Sequence, residues 1–599
     1  MQVPLGVLFV GCRVAMAKRW CVSPHDPECI AALQRAAGIP AVVAQLLLAR
    51  SIHDPSQARE FLDPKLTSLR DPALLPGCSQ AAESLMRAVR EGRRIAVHGD
   101  YDVDGMTGTA ILYRCLQLLG AQVRYYIPHR VDEGYGLHAE TVQSLAREGI
   151  SLLVTVDCGI GSVPQAELAR ELGLQLIITD HHEPGPVLPE AAAIVHPRLG
   201  SYPFGGLSGS GVALKLAWAL CQQAAGAQKV GPAMRDFLLQ AVGLAALGTV
   251  ADVVPLLDEN RVLVRHGLVS LTQRPTLGMR CLLELAGLQE KKELAADDLG
   301  FQIAPRLNAA GRLGQPQLAV ELLVTDRADR AEELARYIDQ LNATRQTLER
   351  SVFLAANKQV KERFDAAGEP ALVLADNDWH AGVIGIVAGR LAEKYHRPVI
   401  LVSLDPLGIK PGVGSARSVP GFHLCQALDA CQEHLLGHGG HAAAAGLKID
   451  PVRIDAFRAD FCEYASAELA GASRVAELRI DAESPFSAFT PEAVQHIERL
   501  APFGHGNQRP TLCTTDVTIA EAPRTIGGGG RHLVLKLAQH GITFRAVAFG
   551  AADWDPPLED RGHTIDVAFQ PVINDFRGRR NVELHLVDWR ASGDGRSAL

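Results

Sequence analysis

The sequence predicts an α/β protein: a parallel-sheet domain, a smaller α/β domain joined to it by a long helix, and a small C-terminal β-barrel. Three observations carry this reading. From about residue 94, short β-branched runs alternate with helical periodicity, the pattern of a parallel sheet whose crossovers lay helices on its faces. Residues 326–364 read as almost continuous, highly charged helix without a single proline or glycine. After about residue 475, short β-rich segments are separated by turn signals, which suits a small barrel such as an OB-fold.

In chain order, residues 1–45 are assigned to an N-terminal extension. Its start, MQVPLGVLFVGCRVAMA, imitates an export signal, but it has no basic leader and Arg13 interrupts it. Translation from Met16, with 1–15 outside the product, is the expectation. The first α/β domain is assigned to 46–325, with strands at 94–98, 123–127, 152–156 and 174–179 and helices at 106–119 and around 164–172. The connecting helix takes 326–365. The second α/β domain, 366–470, places strands near 371–375 and 398–403 around the helix VIGIVAGRLAEKY. Residues 471–599 supply the barrel, with strands near 511–519, 532–538, 544–549, 565–573 and 582–587 and a glycine run at 527–530 as a hairpin tip.

Composition narrows the function classes. A formal charge of −8 gives no global attraction for nucleic acid, so a binder of this composition must cluster its basic residues locally. Aromatic content of 5% gives no hint of an extensive base-stacking surface. The twelve cysteines form no C-x-x-C pair, which argues against a zinc ribbon or a disulfide framework and fits a reducing cytoplasm. No uninterrupted apolar run approaches the ~20 residues that span a bilayer, so no membrane partner is expected.

The densest chemical signal is HGDYDVDG, residues 98–105, where Asp100, Asp102 and Asp104 alternate directly after a strand that ends at His98. Carboxylates so close repel one another unless cations or hydrogen bonds compensate. Asp157 ends a second strand and Asp180-His181-His182 a third. Sites in open α/β sheets form beyond the carboxyl ends of the strands, so these groups should meet in one crevice. Mixed carboxylate and imidazole donors suit Mn²⁺ or Mg²⁺, and this many acidic ligands imply two ions acting in phosphoryl hydrolysis.

DYDVDG, VDCG, DHH and GTVADVVPL resemble the four ordered motifs of the DHH phosphoesterase family. PRLNAAGRL, WHAGVIGI, GSARS, GHGGHAAAAG and the closing INDFRG resemble its RecJ branch and the DHHA1 partner domain. The resemblance, spanning roughly 45–590, implies a metal-dependent exonuclease that degrades single-stranded DNA 5′→3′ in repair and recombination. The alternative within the family is a phosphodiesterase for short oligonucleotides or other small phosphoesters. One ion would sit between Asp102 and Asp157 with His98 as a further ligand. The other would sit among Asp104, Asp157, His181 and Asp252, with Asp157 bridging; Asp252 also reads as a helix cap. Asp100 is expected to orient a ligand by hydrogen bonding, and His182 to face the scissile phosphate.

Ser415 and Arg417 combine a hydroxyl and a guanidinium fork in a glycine-flanked segment, chemistry that suits a phosphate; the resemblance implies that they hold DNA near its 5′ end and adds Arg130 from the catalytic domain. His380 and His441 are expected to face the same cleft. Arg306 and Arg312 either line the strand's path or brace the interdomain helix. Arg577, Arg579 and Arg580 are candidates for extending the track over the barrel through phosphate contacts. The resemblance further implies a cytoplasmic monomer working beside a helicase and a single-strand-binding protein.

Overall fold

The computed structural model describes residues 18–130, 132–363, 369–470, 477–527, 530–551, 564–576 and 579–592. The start at Met16 and the expectation for Arg577 fall outside these residues, as does the side chain of Arg579. The chain divides into two compact units, one of residues 65–472 with 502–507 and one of 1–64, 473–501 and 508–599.

In the first unit, a fully parallel five-stranded sheet runs in the order Gln122–Tyr126, Arg94–His98, Leu152–Val156, Gln175–Thr179, Ala193–Val195. The strand period of two sorts its side chains into two cores. Ile95, Val97, Leu152, Val154, Val156 and Ile177 pack in one, whereas Ala96, Leu153, Leu176 and Ile178 pack in the other. Burial on both faces explains why these strands read as apolar runs without alternation. The first strand has the second on one side and the third on the other, so the winding reverses between Arg94–His98 and Leu152–Val156, the place where such sheets bind ligands.

The helices Val103–Leu118 and Gly209–Ala225 pack on this sheet, and Pro232–Ala251 packs against both of them. Among the described residues Pro232–Ala251 alone is long and apolar enough to cross a membrane, and it is a core helix here. The long helix spans Ala328–Arg363. It leads to a second sheet in the order Leu435–Gly440, Ala444–Ile449, Gly412–Arg417, Val399–Ser403, Leu372–Asp376, antiparallel except for the last pair.

In the second unit the strands Leu512–Ile526, His532–Gln539, Ile542–Ala548, Arg579–Ala591 and Ile565–Phe576 pair in that order. Pairing of the last with the first closes them into a barrel. The N-terminal segment belongs to this unit. Arg19–Val22 runs parallel to Glu477–Ile480, and three helices follow at Pro27–Ala37, Ala41–Leu48 and Pro55–Leu62. The first and third helices open on Asp-Pro, where Asp26 and Asp54 accept from the free amides of the first turn. The sequence reading set an extension at 1–45 and began the catalytic domain at 46; the boundary lies instead after Pro64. Strand partners so remote in sequence leave no local signal.

Candidate active site

The winding reversal gathers the acidic residues. Asp102 caps the helix Val103–Leu118, accepting from Gly105 N at 3.0 Å. Asp104, in the first turn of the same helix, accepts from Gly209 N at 2.6 Å and Ser210 N at 3.0 Å. The free amides of the second helix's N-terminus thus fix one carboxylate of the centre. Asp157 follows its strand with φ +63°. Asp252 ends the helix Pro232–Ala251, and Val253 turns the chain away at φ +60°. A β-branched residue there is strained, so surrounding structure must hold it.

Ligand atoms converge in overlapping groups whose members lie within 4.8 Å of one another: Asp100 with Asp102 and Asp157; Asp104 with His181 and Asp252; and Asp157 with His181 and His182. His98 joins none of these groups among the described residues. Asp100, expected to orient a ligand by hydrogen bonding, has its Oδ1 buried without a hydrogen-bond partner, and its carboxylate belongs to the group with Asp102 and Asp157.

The electrostatics are those of a site built for cations. Burial, reinforced by Asp102, holds the Asp100 carboxyl well above the usual range. Burial and then Asp104 raise Asp102 and Asp157, and Asp252 is pushed up to about 9 by burial and by Asp104, Asp102 and Asp100. Burial takes the His98 and His181 imidazoles down to about 4, leaving them neutral and able to donate a lone pair. His98 Nε2, Asp100 Oδ1, Asp157 Oδ1 and His181 Nε2 are all buried without a hydrogen-bond partner. Asp157 Oδ1 and His181 Nε2 approach to 3.1 Å without hydrogen-bond geometry. Two buried acceptors this close fit donors that share a cation. Carboxylate oxygens with neutral imidazoles match Mn²⁺ or Mg²⁺.

Asp180 is a residue whose role the sequence reading missed. It accepts from the amides of Ile160 (3.0 Å), His181 (2.7 Å) and His182 (3.2 Å). It also lies 2.8 Å from His182 Nδ1. Burial opposes its charge, yet the His182 hydrogen bond and nearby amides pull it down to about 2. In return, although burial favours the neutral ring, the Asp180 hydrogen bond and charge raise His182. The Tyr135 hydroxyl lies 3.0 Å from the same Nδ1 and donates to the Asp157 carbonyl at 3.1 Å. D-H-H in the sequence marked the pair; Tyr135 had no signal beyond a loop of turn residues.

A second constellation is basic. Arg312, at the end of the helix Ala304–Arg312, donates to the Gly382 carbonyl at 3.2 Å. Burial, with Arg130, Arg417 and Arg345 close by, takes its guanidinium down to about 9. Arg417, whose Nη1 lies 3.1 Å from Ser415 Oγ, is lowered by burial and then by Arg130. Arg130 stacks on Tyr101, 4.8 Å from the ring centroid. Half-buried guanidiniums that repel one another suit an anion between them. The pocket sits beside the acidic centre, because Asp102 feels Arg130 and Arg312 feels Asp102. Gly385 allows the close approach: a Cβ there would lie 2.8 Å from Ser415 Oγ and 2.9 Å from Arg417 Nη2.

His380 caps the helix Ala381–Tyr395, accepting from Gly382 N at 3.0 Å, and so lies beside Arg312's partner. His441 sits exposed in the hairpin at the end of the sheet where Ala444 pairs with Arg417. Arg306 is engaged elsewhere: its Nε meets Asp339 of the long helix at 2.8 Å and its Nη1 the Gln302 carbonyl at 2.6 Å. Of the two readings open for it, the geometry is that of a brace. Arg345 of the long helix, near enough to lower Arg312, has a buried, unpartnered Nε while its Nη atoms meet Glu349 at 2.7 Å and Asn342 at 2.9 Å; the sequence reading overlooked it, because it looks like any charge on a helix.

The chain is similar to known proteins. Residues 94–248 match the DHH family N-terminal domain, 368–467 the DHHA1 domain and 480–588 the RecJ OB domain. The single-stranded-DNA-specific exonuclease RecJ of Bacillus subtilis is 36% identical over 579 residues, covering 96% of this chain and 71% of that protein. The crystal structure of RecJ in complex with Mn²⁺ from Thermus thermophilus superposes with a TM-score of 0.81 at 34% identity, covering 96% of this chain and 79% of that one. RecJ in complex with Mg²⁺ from the same organism superposes with a TM-score of 0.74 at 33% identity, covering 96% and 78%. With the carboxylate–imidazole centre at the winding reversal and the same three domains in the same order, the chain belongs to the RecJ family of DHH proteins.

Proposed function

We propose that this chain is a two-metal exonuclease that hydrolyses single-stranded DNA from its 5′ end to mononucleotides, serving DNA repair and recombination. The observation that carries the reading is the adjacency of the acidic centre to a pocket of half-buried arginines, with Asp102 near Arg130 and Arg312. An acidic centre alone would suit many phosphoesters. A neighbouring anion pocket suits a substrate with a second, terminal phosphate.

Asp100, Asp102 and Asp157, with His98 behind them, would hold one divalent ion, and Asp104, His181 and Asp252 the other, sharing Asp157. Ions held there supply charge stabilisation at the phosphoryl oxygens and lower the pKa of the attacking water. The protein's own groups do the rest. Asp180 fixes His182 through Nδ1 and favours its protonated form, leaving Nε2–H to donate to the leaving oxygen. Arg417, Ser415, Arg130 and Arg312 would bind the 5′-phosphate, so that only an end can seat productively. Because phosphates carry no sequence information, cleavage should show weak sequence preference. One chain supplies every group, so the enzyme is proposed to act as a monomer on strands opened by a helicase and covered by a single-strand-binding protein.

The test is a substrate panel with Mn²⁺ or with chelator: long single-stranded DNA, duplex DNA and di- to pentanucleotides. Metal-dependent release of mononucleotides from long single strands, with duplex spared, is expected. Hydrolysis confined to the short oligonucleotides would overturn the reading in favour of a small-substrate phosphodiesterase.

A further inference from the structure

The barrel carries an aromatic group that the low aromatic content did not foreshadow. Phe549 follows the strand Ile542–Ala548 and is 58% exposed. Two histidines hold its ring edge-on: His532 at 5.4 Å and 70°, and His585 at 5.0 Å and 83°. Strand register explains the trio. Val534 pairs with Val547 and Val547 with His585, and the strand period of two then brings His532, Phe549 and His585 out on one face. The inward positions Leu533, Leu535, Ala546, Ala548 and Leu584 fill the barrel core.

Both histidines are anchored. His532 Nδ1 accepts from Gly550 N at 2.9 Å, and His585 Nε2 lies 3.3 Å from Glu583 Oε1. The phenyl ring is therefore a fixed, solvent-facing platform. Along the same face, Arg545 and Glu583 line a cavity of about 760 Å³ that also reaches Asn574 and Arg580. On this face Arg545 pairs with Glu583 and Lys536 with Glu521, while Arg524, opposite Val534, and Arg580, in the cavity lining, are exposed cations. The propped, exposed aromatic ring suits stacking by a flat, uncharged ring, with cations beside it for the backbone that carries that ring.

We propose that Phe549, held by His532 and His585, stacks on a nucleobase of the single strand, so that the barrel grips DNA through bases while the arginine pocket grips phosphate. The inference rests on the proposed function for its ligand. It differs from the phosphate track expected at Arg577, Arg579 and Arg580 both in residues and in contact chemistry. Exposed aromatic rings on the outer strands of such barrels are sequence-tolerant platforms, since every base offers a π-face.

The test uses full-length protein with Asp157→Asn to block cleavage, and a labelled single-stranded oligonucleotide of roughly 20 nucleotides, longer than one barrel's footprint. Adding Phe549→Ala should weaken binding about ten-fold, as loss of one stacked base does, whereas Phe549→Trp should retain it. The ratio should hold between ~50 and ~200 mM salt, because stacking releases no counterions. It should vanish on an oligonucleotide of the same length built from abasic sites. Equal affinity of Phe549→Ala and its parent for intact DNA would overturn the platform alone, as would an equal loss on abasic DNA. A parent that bound no oligonucleotide would overturn the proposed function and the platform together.

Discussion

Asp157 is where the residue-scale constraints meet. It is buried, takes a left-handed backbone and shares ligand groups with Asp100, Asp102, His181 and His182. Its folded-state carboxyl titrates above the unfolded value, so the stability tied to its proton is complete at acid pH and lost as pH rises. Asp157→Asn should therefore abolish hydrolysis yet raise the melting temperature of the metal-free protein at neutral pH by a few degrees, roughly. Mn²⁺ should stabilise this variant less than the parent; thermal melts with and without Mn²⁺ check both. Asparagine is the clean substitution, since alanine would add about 1–2 kcal/mol of left-handed strain. Asp180→Asn should leave Mn²⁺ binding intact but lower kcat by roughly 10²-fold or more, with KM little changed, because His182 loses the partner that orients and protonates it. Steady-state kinetics beside a Mn²⁺ titration separate the two effects. At this scale the alternating aspartates and D-H-H were legible because each follows a strand directly. Tyr135 and Arg345 were not, since only tertiary packing brings them to Asp157 and Arg312.

At the scale of elements, the centre depends on how closely helices approach one another. Gly248, on the helix that ends at Asp252, faces Asp104: a Cβ there would lie 2.4 Å from Asp104 Oδ1, 2.3 Å from Ser210 Oγ and 2.5 Å from Thr107 Oγ1. Gly248→Ala should keep its helix, cost about 1–3 kcal/mol through overpacking and weaken Mn²⁺ binding by displacing Asp104. Circular dichroism and calorimetric Mn²⁺ titration read the two outcomes separately; unchanged metal affinity would show that Asp104 tolerates the shift. The sequence announced the strands that lead into the site, because burial on both faces forces apolar runs. It did not announce the cradle of Asp104, because the amides of Gly209 and Ser210 become free donors only once their helix has formed. The reach of the long helix was legible from its lack of glycine and proline, whereas the Arg306–Asp339 brace was one of two readings that spacing alone could not separate.

For the whole molecule, the proposed function rests on bringing Arg130 and Arg312 from the first α/β layer to Arg417 from the second, beside Asp102. The order of α/β, helix, α/β and barrel was visible as changes in periodicity. The membership of residues 18–64 in the barrel-bearing unit was not, because the pairing of Arg19–Val22 with Glu477–Ile480 joins opposite ends of the chain. Arg417→Ala should slow attack on 5′-phosphorylated ends by roughly ten-fold or more while leaving Mn²⁺ binding unchanged, since the role proposed for the guanidinium is to bind phosphate rather than metal. Kinetics on 5′-phosphate and 5′-hydroxyl oligonucleotides check this, the second being the less affected. The most direct measurement follows a single-stranded oligonucleotide carrying distinguishable labels at its two ends through a Mn²⁺-dependent time course. The arrangement predicts that the 5′ label leaves first, as a mononucleotide, while the 3′ label stays on a steadily shortening strand. Release of the 3′ label first, or of internal fragments from a strand with both ends intact, would contradict it.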